Sequence, residues 1–314
     1  MATAADAFRV CVAIPTFRRP ELLRSLLEGI AVQVVPGGVT VEVLVIDNDV
    51  QPSVDEIVAA LRDAFPFTLR YVHLAEPGLC SVRNFALSYA REFTFLAMID
   101  DDEYPKPCWL AELLRVQCST GADAVVGPVP RNIPASAPRW LRSGRFYDLP
   151  LYPDGSSITF GYSGNCLLRV SSLRRFGVVF DSELNFAGGE DLLFFRTLVA
   201  RGAKMAFAAH AVASEWVGPE RLSASYLLRL SFRRGNTLTI CDRRLNGTVA
   251  GLATRALKGC ARLSLGLATL LPRSLIQGRA GAMRALCDMA QGCGSLTGLA
   301  GHIHQGYERV DTAS

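Results

Sequence analysis

Residues 93–105 read FTFLAMIDDDEYP, an apolar run that ends in Asp100, Asp101, Asp102 and Glu103. Carboxylates this close repel one another and destabilise a compact state unless a cation or hydrogen-bond donors offset them. Adjacent residues of an extended chain point to opposite sides, so Asp100 and Asp102 share a side and Asp101 faces away. Hard oxygen ligands in that pattern suit Mg²⁺ or Mn²⁺, ions that keep open positions for substrate phosphates. The bland alternative is a solvated acidic turn capping a helix that begins near Pro105. A second motif, Gly188-Gly189-Glu190-Asp191, places two carboxylates at the start of a helical pattern, where the helix dipole favours negative charge. Ordinary capping accounts for such a motif on its own. Beside a metal-type acid cluster it acquires a second reading, a carboxylate that takes a proton from an alcohol.

The elements that must position these acids alternate in type. FRVCVAI (8–14), VEVLVID (41–47), TLRYVHL (68–74) and FTFLAMID (93–100) are short β-branched or apolar runs of the kind buried in a sheet. Between them, 19–33 carries Leu22, Leu23, Leu26, Leu27 and Ile30 at helical spacing, 53–65 reads as a helix capped by Ser53, and 78–91 as another. Strand–helix alternation at this spacing predicts parallel pairing with right-handed crossovers, an open α/β sheet, over residues 8–118. Such sheets bind ligands beyond the carboxyl ends of their strands. The segments at those ends are PTFRR (15–19), DND (47–49), EPG (76–78) and DDDE (100–103), a converging rim rich in carboxylates. After residue 120 the rhythm changes: 122–129 and 164–170 read as strands, 131–157 is long and irregular, and 188–202 and 221–244 are helical.

At 314 residues, half of them hydrophobic and a fifth charged, the composition is that of a globular chain, and a net charge of +4 does not point to nucleic acid. Nine cysteines without C-x-x-C spacing argue against a zinc site or a disulfide framework and fit reduced cytoplasmic thiols. No secretory leader and no stretch of 18 uninterrupted apolar residues stands out, so neither export nor a spanning helix is expected. Charge is uneven: Arg243 to Arg284 holds eight Lys or Arg and no acid. The basic amphipathic segment 249–284 reads as lying on an anionic membrane surface. A helical hairpin that closes the catalytic unit or forms a dimer is the alternative.

In order and spacing, VAIPTFRRPELL, VIDND, GLCSVRNFAL, IDDDE, GYSGNCLLR and GGEDLLFF resemble the family 2 glycosyltransferases of GT-A fold, over about residues 8–240. APRWLRSGRFYD, GYSGNCLLR and FRRGNT narrow the resemblance to exopolysaccharide glucosyltransferases. The resemblance implies a catalytic domain over 1–245 and a helical appendage over 246–314. It implies a UDP-sugar donor packed on Pro15, Thr16, Phe17 and Arg18, with Asp47 and nearby Asp49 reading uracil and ribose and Arg83 and Asn84 lining the pocket. Asp100, with Asp101, falls toward the ribose and Asp102 toward the metal, assisted by Glu103. Asp191, with Glu190 beside it, becomes the base of a single inverting displacement, giving a β-linked product from an α-linked donor. Relatives complete the metal site with a histidine; here Glu215 stands nearest that place, and His210 falls a few residues early. The Q-x-x-R-W motif of processive synthases is missing after Asp191, which favours transfer of one sugar.

On the acceptor side, Trp140, Phe146, Tyr147 and Tyr162 suit either stacking on sugar rings or packing in the core, and Gly164 and Asn165 flank Tyr162. Arg221, Arg233 and Arg234 match phosphate oxygens of donor or acceptor, or form a solvated helix face. A polyprenyl-diphosphate saccharide acceptor, met on the inner face of the plasma membrane, is the partner this implies. A nucleotidyltransferase would share the acids and the metal, but PTFRRPELL lacks the glycine-rich loop such enzymes carry after their first strand. A nucleotide-sugar-binding regulator would have no use for Asp191.

Overall fold

The computed structural model describes residues 8–76 and 78–304. Strand β1 (Phe8–Thr16) leads through α1 (Pro20–Ala31) to β2 (Val39–Asp47), then α2 (Asp55–Arg62), β3 (Thr68–His73), α3 (Leu79–Tyr89) and β4 (Phe95–Ile99). β1 pairs in parallel with β2 and with β4, and β2 with β3, as the alternation required. Both faces of β1 are buried: Val10, Val12 and Ile14 pack on one side of the sheet, Cys11 and Ala13 on the other. That two-sided burial is why the strand reads as an unbroken apolar run. Helix α1 covers the first face with Leu23, Leu26, Leu27 and Ile30.

Beyond β4 come β5 (Glu103–Pro105), α4 (Trp109–Thr120), β6 (Ala124–Val126), β7 (Arg131–Asn132), α5 (Arg139–Gly144), β8 (Asn165–Arg169), α6 (Val170–Phe176), α7 (Glu190–Ala200), β9 (Met205–Phe207) and β10 (Ala213–Trp216). The main sheet has seven strands in the order β3-β2-β1-β4-β8-β6-β9, with β8 antiparallel to both of its neighbours. This is the open mixed sheet flanked by helices that the GT-A resemblance implies.

Three local expectations are corrected. Helix α2 starts at Asp55 behind Val54 and has no side-chain cap, because Ser53 is bonded through its amide and hydroxyl to Asp47. The acidic run does not cap a helix near Pro105. It continues into β5, which joins β10 and β7 in a second, three-stranded sheet, and α4 begins only at Trp109. Neither that sheet nor β9 was anticipated, since strands of two to four residues carry no readable alternation.

The C-terminal part is α8 (Ala224–Asn246) and α9 (Val249–Leu299). The second is bent back on itself at Gly278 (φ 56°, ψ −139°), a conformation that side-chain-bearing residues avoid. Its arms, 249–277 and 279–299, lie against one another: a Cβ on Gly266 would stand 2.7 Å from the Ala285 carbonyl, and one on Gly292 2.7 Å from that of Gly259. The second arm also bonds to α8, Thr239 donating to the Ser295 carbonyl at 3.0 Å. The segment is therefore a helical hairpin layered on α8, which runs to Asn246.

Candidate active site

Parallel pairing brings the carboxyl ends of β1 and β2 level, Thr16 opposite Asp47. Asp47 is fully buried and spends both oxygens locally, on the amides of Asp49, Ser53 and Val54 and the hydroxyls of Ser53 and Tyr71. It shapes the loop after β2. Asp49 takes a hydrogen bond from Arg18 Nε at 2.8 Å, which holds its carboxyl below the ordinary range despite partial burial. Arg18 sits in the left-handed region (φ 54°), half exposed, over the Phe17 ring, in the loop that Pro15 enters from β1.

Past the end of β4 the chain turns instead of staying extended as the sequence pattern predicts, the Glu103 amide donating to the Asp100 carbonyl at 3.2 Å, and the turn spreads the acids. Asp101 turns inward, accepting from Thr16 Oγ1 (2.9 Å) and Arg19 Nη1 (3.0 Å), and so pins the β1–α1 loop. Asp102 meets Arg19 at 3.1 Å and Arg221 at 3.6 Å. Asp100 faces Arg83 at 3.7 Å with 37% of its side chain open to the cleft. Burial pushes its carboxyl up to about 7 against the pull of Arg83, with Asp102 and Asp191 adding to the rise; the open side admits water that moderates the shift.

Glu103 starts β5 and lies directly opposite Glu215 of β10, which in turn pairs with Arg131 of β7. Both carboxylates are buried. Glu215 is neutralised by Arg131 (2.9 Å) and by a close pair with Arg221. Glu103 has no such partner among the described residues: its Oε2 is buried without a hydrogen bond there, and burial, then Asp100, Asp102 and Glu215, raise its carboxyl well above the ordinary range. Gly164 makes room for this group, since a Cβ there would stand 2.5 Å from Glu103 Oε1 and 2.9 Å from Asp100 Oδ2. Among the described residues no three acidic, histidine or cysteine side chains already share an ion-binding geometry. The orphaned oxygen, the glycine cradle and the all-oxygen donor set nonetheless fit a hard divalent ion, and Arg19 and Arg221 supply positive charge at the same rim.

The second motif reaches the same cleft through Arg83. This guanidinium is buried, 2.5 Å from Glu190, 3.1 Å from Asp191 and 3.7 Å from Asp100. Glu190, the first residue of α7, is raised by burial in spite of Arg83, and its Oε2 has no hydrogen-bond partner among the described residues. Asp191 accepts from Ser163 twice, from the amide at 3.1 Å and the hydroxyl at 2.7 Å. A carboxylate offers about four acceptor positions. Ser163 takes one on each oxygen and Arg83 Nη1 lies 3.1 Å from Oδ1, so Oδ2, bonded only to the Ser163 amide, keeps a position open.

Other residues singled out from the sequence are engaged elsewhere. Asn84 bonds in both directions to the backbone of Phe180. Asn165 is buried among Trp109, Pro128 and Ala211. Tyr162 gives its hydroxyl to the Gly127 carbonyl, Trp140 packs edge-on against Phe146, and His210 is exposed. Tyr147 donates to the Arg221 carbonyl at 2.5 Å. Arg233 and Arg234 lie on α8, where Arg234 sits near Arg131, with Tyr226 also close by. Conversely, Ser163, Arg19 and Arg131 touch the acids directly and were not singled out, although the first two lie inside the quoted stretches GYSGNC and PTFRR.

The Glycosyl transferase family 2 profile matches residues 11–177. Over 233 residues the chain is 37% identical to succinoglycan biosynthesis protein ExoM of Rhizobium meliloti (strain 1021), covering 74% of each. A 119-residue stretch is 28% identical to chondroitin synthase of Escherichia coli, spanning 37% of this chain and 17% of that one. Among solved structures, the mannosyltransferase PcManGT from Pyrobaculum calidifontis, in complex with GDP-Man and Mn²⁺, superposes with a TM-score of 0.62 at 18% identity, over 93% of this chain and 88% of that one. S. aureus TarS 1–349 in complex with UDP-GlcNAc gives 0.54 at 15% identity, over 96% and 100%. A longer TarS structure, of which this chain spans 55%, gives 0.51 at 17% identity over 88% of this chain. At such identities the likeness is one of fold.

Proposed function

Since the chain belongs to glycosyl transferase family 2, we propose that it moves one glucose unit from UDP-glucose to a lipid-linked saccharide in the assembly of a succinoglycan-type exopolysaccharide. Its relative ExoM carries succinoglycan biosynthesis in its name, and structural neighbours are solved with UDP-GlcNAc or with GDP-Man and Mn²⁺. The place of action on this reading is the cytoplasmic face of the membrane; no described helix is long and apolar enough to cross one.

The observation that carries the reading is the single guanidinium of Arg83 joining Asp191 and Asp100. It sets a proton acceptor at one terminal nitrogen and a strand-end acid at the other terminal nitrogen of one buried cation, at the carboxyl ends of the parallel strands. Asp191, oriented by Ser163 and Arg83, keeps the free position on Oδ2 for an acceptor hydroxyl. As that oxygen attacks the anomeric carbon, its proton passes to Asp191. The bond from that carbon to the UDP oxygen breaks on the far face, and UDP leaves with the electron pair. The configuration inverts, giving a β-glycoside from an α-linked donor. Asp102, Glu103 and Glu215 would hold Mg²⁺ or Mn²⁺, which when bound offsets charge on the departing diphosphate. Arg19 and Arg221 reinforce positive charge at that rim.

The test is turnover: purified protein, a panel of UDP-sugars and a lipid extract, with UDP release as readout. UDP-glucose should stand out in the presence of Mn²⁺. No release from any UDP-sugar would sink the reading.

A further inference from the structure

The first arm of the C-terminal hairpin is built inside out for a helix in water. It buries its glycines, Gly259 and Gly266, against the second arm and turns its leucines outward. Leu257, Leu267, Leu271, Leu275 and Ile276 are between 65% and 80% exposed. Leu257, Leu265, Leu271 and Leu275 recur at helical spacing and so share one side. Single exposed leucines are ordinary, but an extended row on one helix marks a surface that something covers. Three of the arm's four hydroxyls bond within it: Thr254 donates to the Ala250 carbonyl (2.8 Å), Thr269 to Leu265 (2.7 Å) and Ser274 to Leu270 (2.5 Å), while Ser264 is exposed. Small residues inside, large apolar residues outside and hydroxyls turned back on their own helix are how helices pack when their outer medium is hydrocarbon, and the arm shows the first two and, at three of four positions, the third.

Charge selects the medium. No acid occurs from residue 243 to 287. Arg255 and Arg273 are neutralised by Asp242 and Asp288. Lys258, Arg262 and Arg279 make no ion pair among the described residues and are exposed. Lys258 and Arg262, one turn apart, flank the leucine row. The arm does not meet the requirement for crossing a bilayer, and an apolar row with cations along its flank instead fits a helix lying in the interface.

We propose that the outer face of residues 249–277 docks flat on an anionic lipid bilayer, leucines in the acyl boundary and Lys258 and Arg262 among the phosphates. This goes beyond the transferase assignment, and it is tested without donor or turnover, so either can fail alone. Full-length protein is mixed with phosphatidylcholine vesicles, with and without phosphatidylglycerol, and sedimented. Wild type should bind the anionic vesicles in preference, less so at high salt. Lys258→Gln with Arg262→Gln should weaken that binding roughly thirtyfold. Leu257→Ser with Leu271→Ser and Leu275→Ser should weaken it about a hundredfold or more. Far-UV circular dichroism and thermal midpoints of the variants should match wild type, since these side chains are exposed. Wild type left in the supernatant, or leucine variants that bind as well as wild type, would overturn the proposal. So would a dimer in sedimentation velocity, broken by the same leucine changes while wild type ignores vesicles, which would assign the face to a second copy.

Discussion

Arg83 and Glu190 lie side by side in the interior, Nη1 2.5 Å from Oε1, with 4% and 6% of their side chains exposed. The pair ties α3 to the first residue of α7 across more than a hundred positions of sequence. A buried ion pair gains little over an apolar one, but removing one partner strands a charge at a cost of about 3–5 kcal/mol. We therefore expect Arg83→Met to lose that much stability in urea unfolding and Arg83→Met with Glu190→Met to recover most of it. Should the single variant fail to fold, the double variant still decides. A double variant as unstable as the single one would mean that Arg83 acts mainly through Asp191 and Asp100.

Asp191→Asn keeps the shape of the side chain and its place beside Ser163 while removing the proton acceptor. We expect kcat to fall by about 10²–10⁴ with UDP affinity unchanged, measured by UDP release and by titration calorimetry. Ser163→Ala removes one of the two bonds that orient Asp191. Its effect should be smaller and fall on kcat rather than KM. If Asp191→Asn retains turnover, the base lies elsewhere.

What could be read before folding depended on how far each signal extended along the chain. β1 to β4 alternate with helices over enough residues for period and length to show, and the acids sit where those strands end. The three-stranded sheet was illegible because β7 has two residues and β5 three. Yet that sheet is what sets Glu103 against Glu215. Strand alternation set Asp101 apart from Asp100 and Asp102, but it is the turn after Ile99 that gives Asp101 to Thr16 and Asp102 to Arg221. The hairpin turn was hidden likewise, since Gly278 is one glycine among many in a segment of uniformly helical composition.

Asp242 of α8 is clamped by Arg196 of α7 at 2.6 Å and by Arg255 of the hairpin, Nε at 2.7 Å. Burial alone would raise its carboxyl, but the two guanidiniums outweigh it and the net shift is downward. A carboxyl depressed in the folded state adds stability that is present above its unfolded value and lost as pH falls through the folded one. Asp242→Asn should thus cost about 1–3 kcal/mol near neutrality, and the gap to wild type should close on acidification below about pH 4. Thermal midpoints of both proteins between neutral and strongly acidic pH provide the check. A gap that persists into acid would show that Asp242 matters by packing rather than charge.

Glu103 carries the opposite sign. Its carboxyl is raised by burial, then by Asp100, Asp102 and Glu215. A raised acid makes wild type lose stability as pH climbs from the ordinary carboxylate range through the folded value, because ionisation is opposed only in the folded protein. In metal-free buffer Glu103→Gln should then be the more stable protein, by on the order of 1–3 kcal/mol, with the advantage growing as pH rises. Adding Mn²⁺ and UDP should reverse the ranking. Wild type gains about 2.7 kcal/mol at a hundredfold excess over Kd, while the variant, short of one anionic ligand, gains less at the same concentrations. Differential scanning fluorimetry in four buffers, with and without each ligand, separates the cases. If Glu103→Gln is stabilised by Mn²⁺ and UDP as fully as wild type, the unpartnered carboxylate opposite Glu215 has no part in holding the ion.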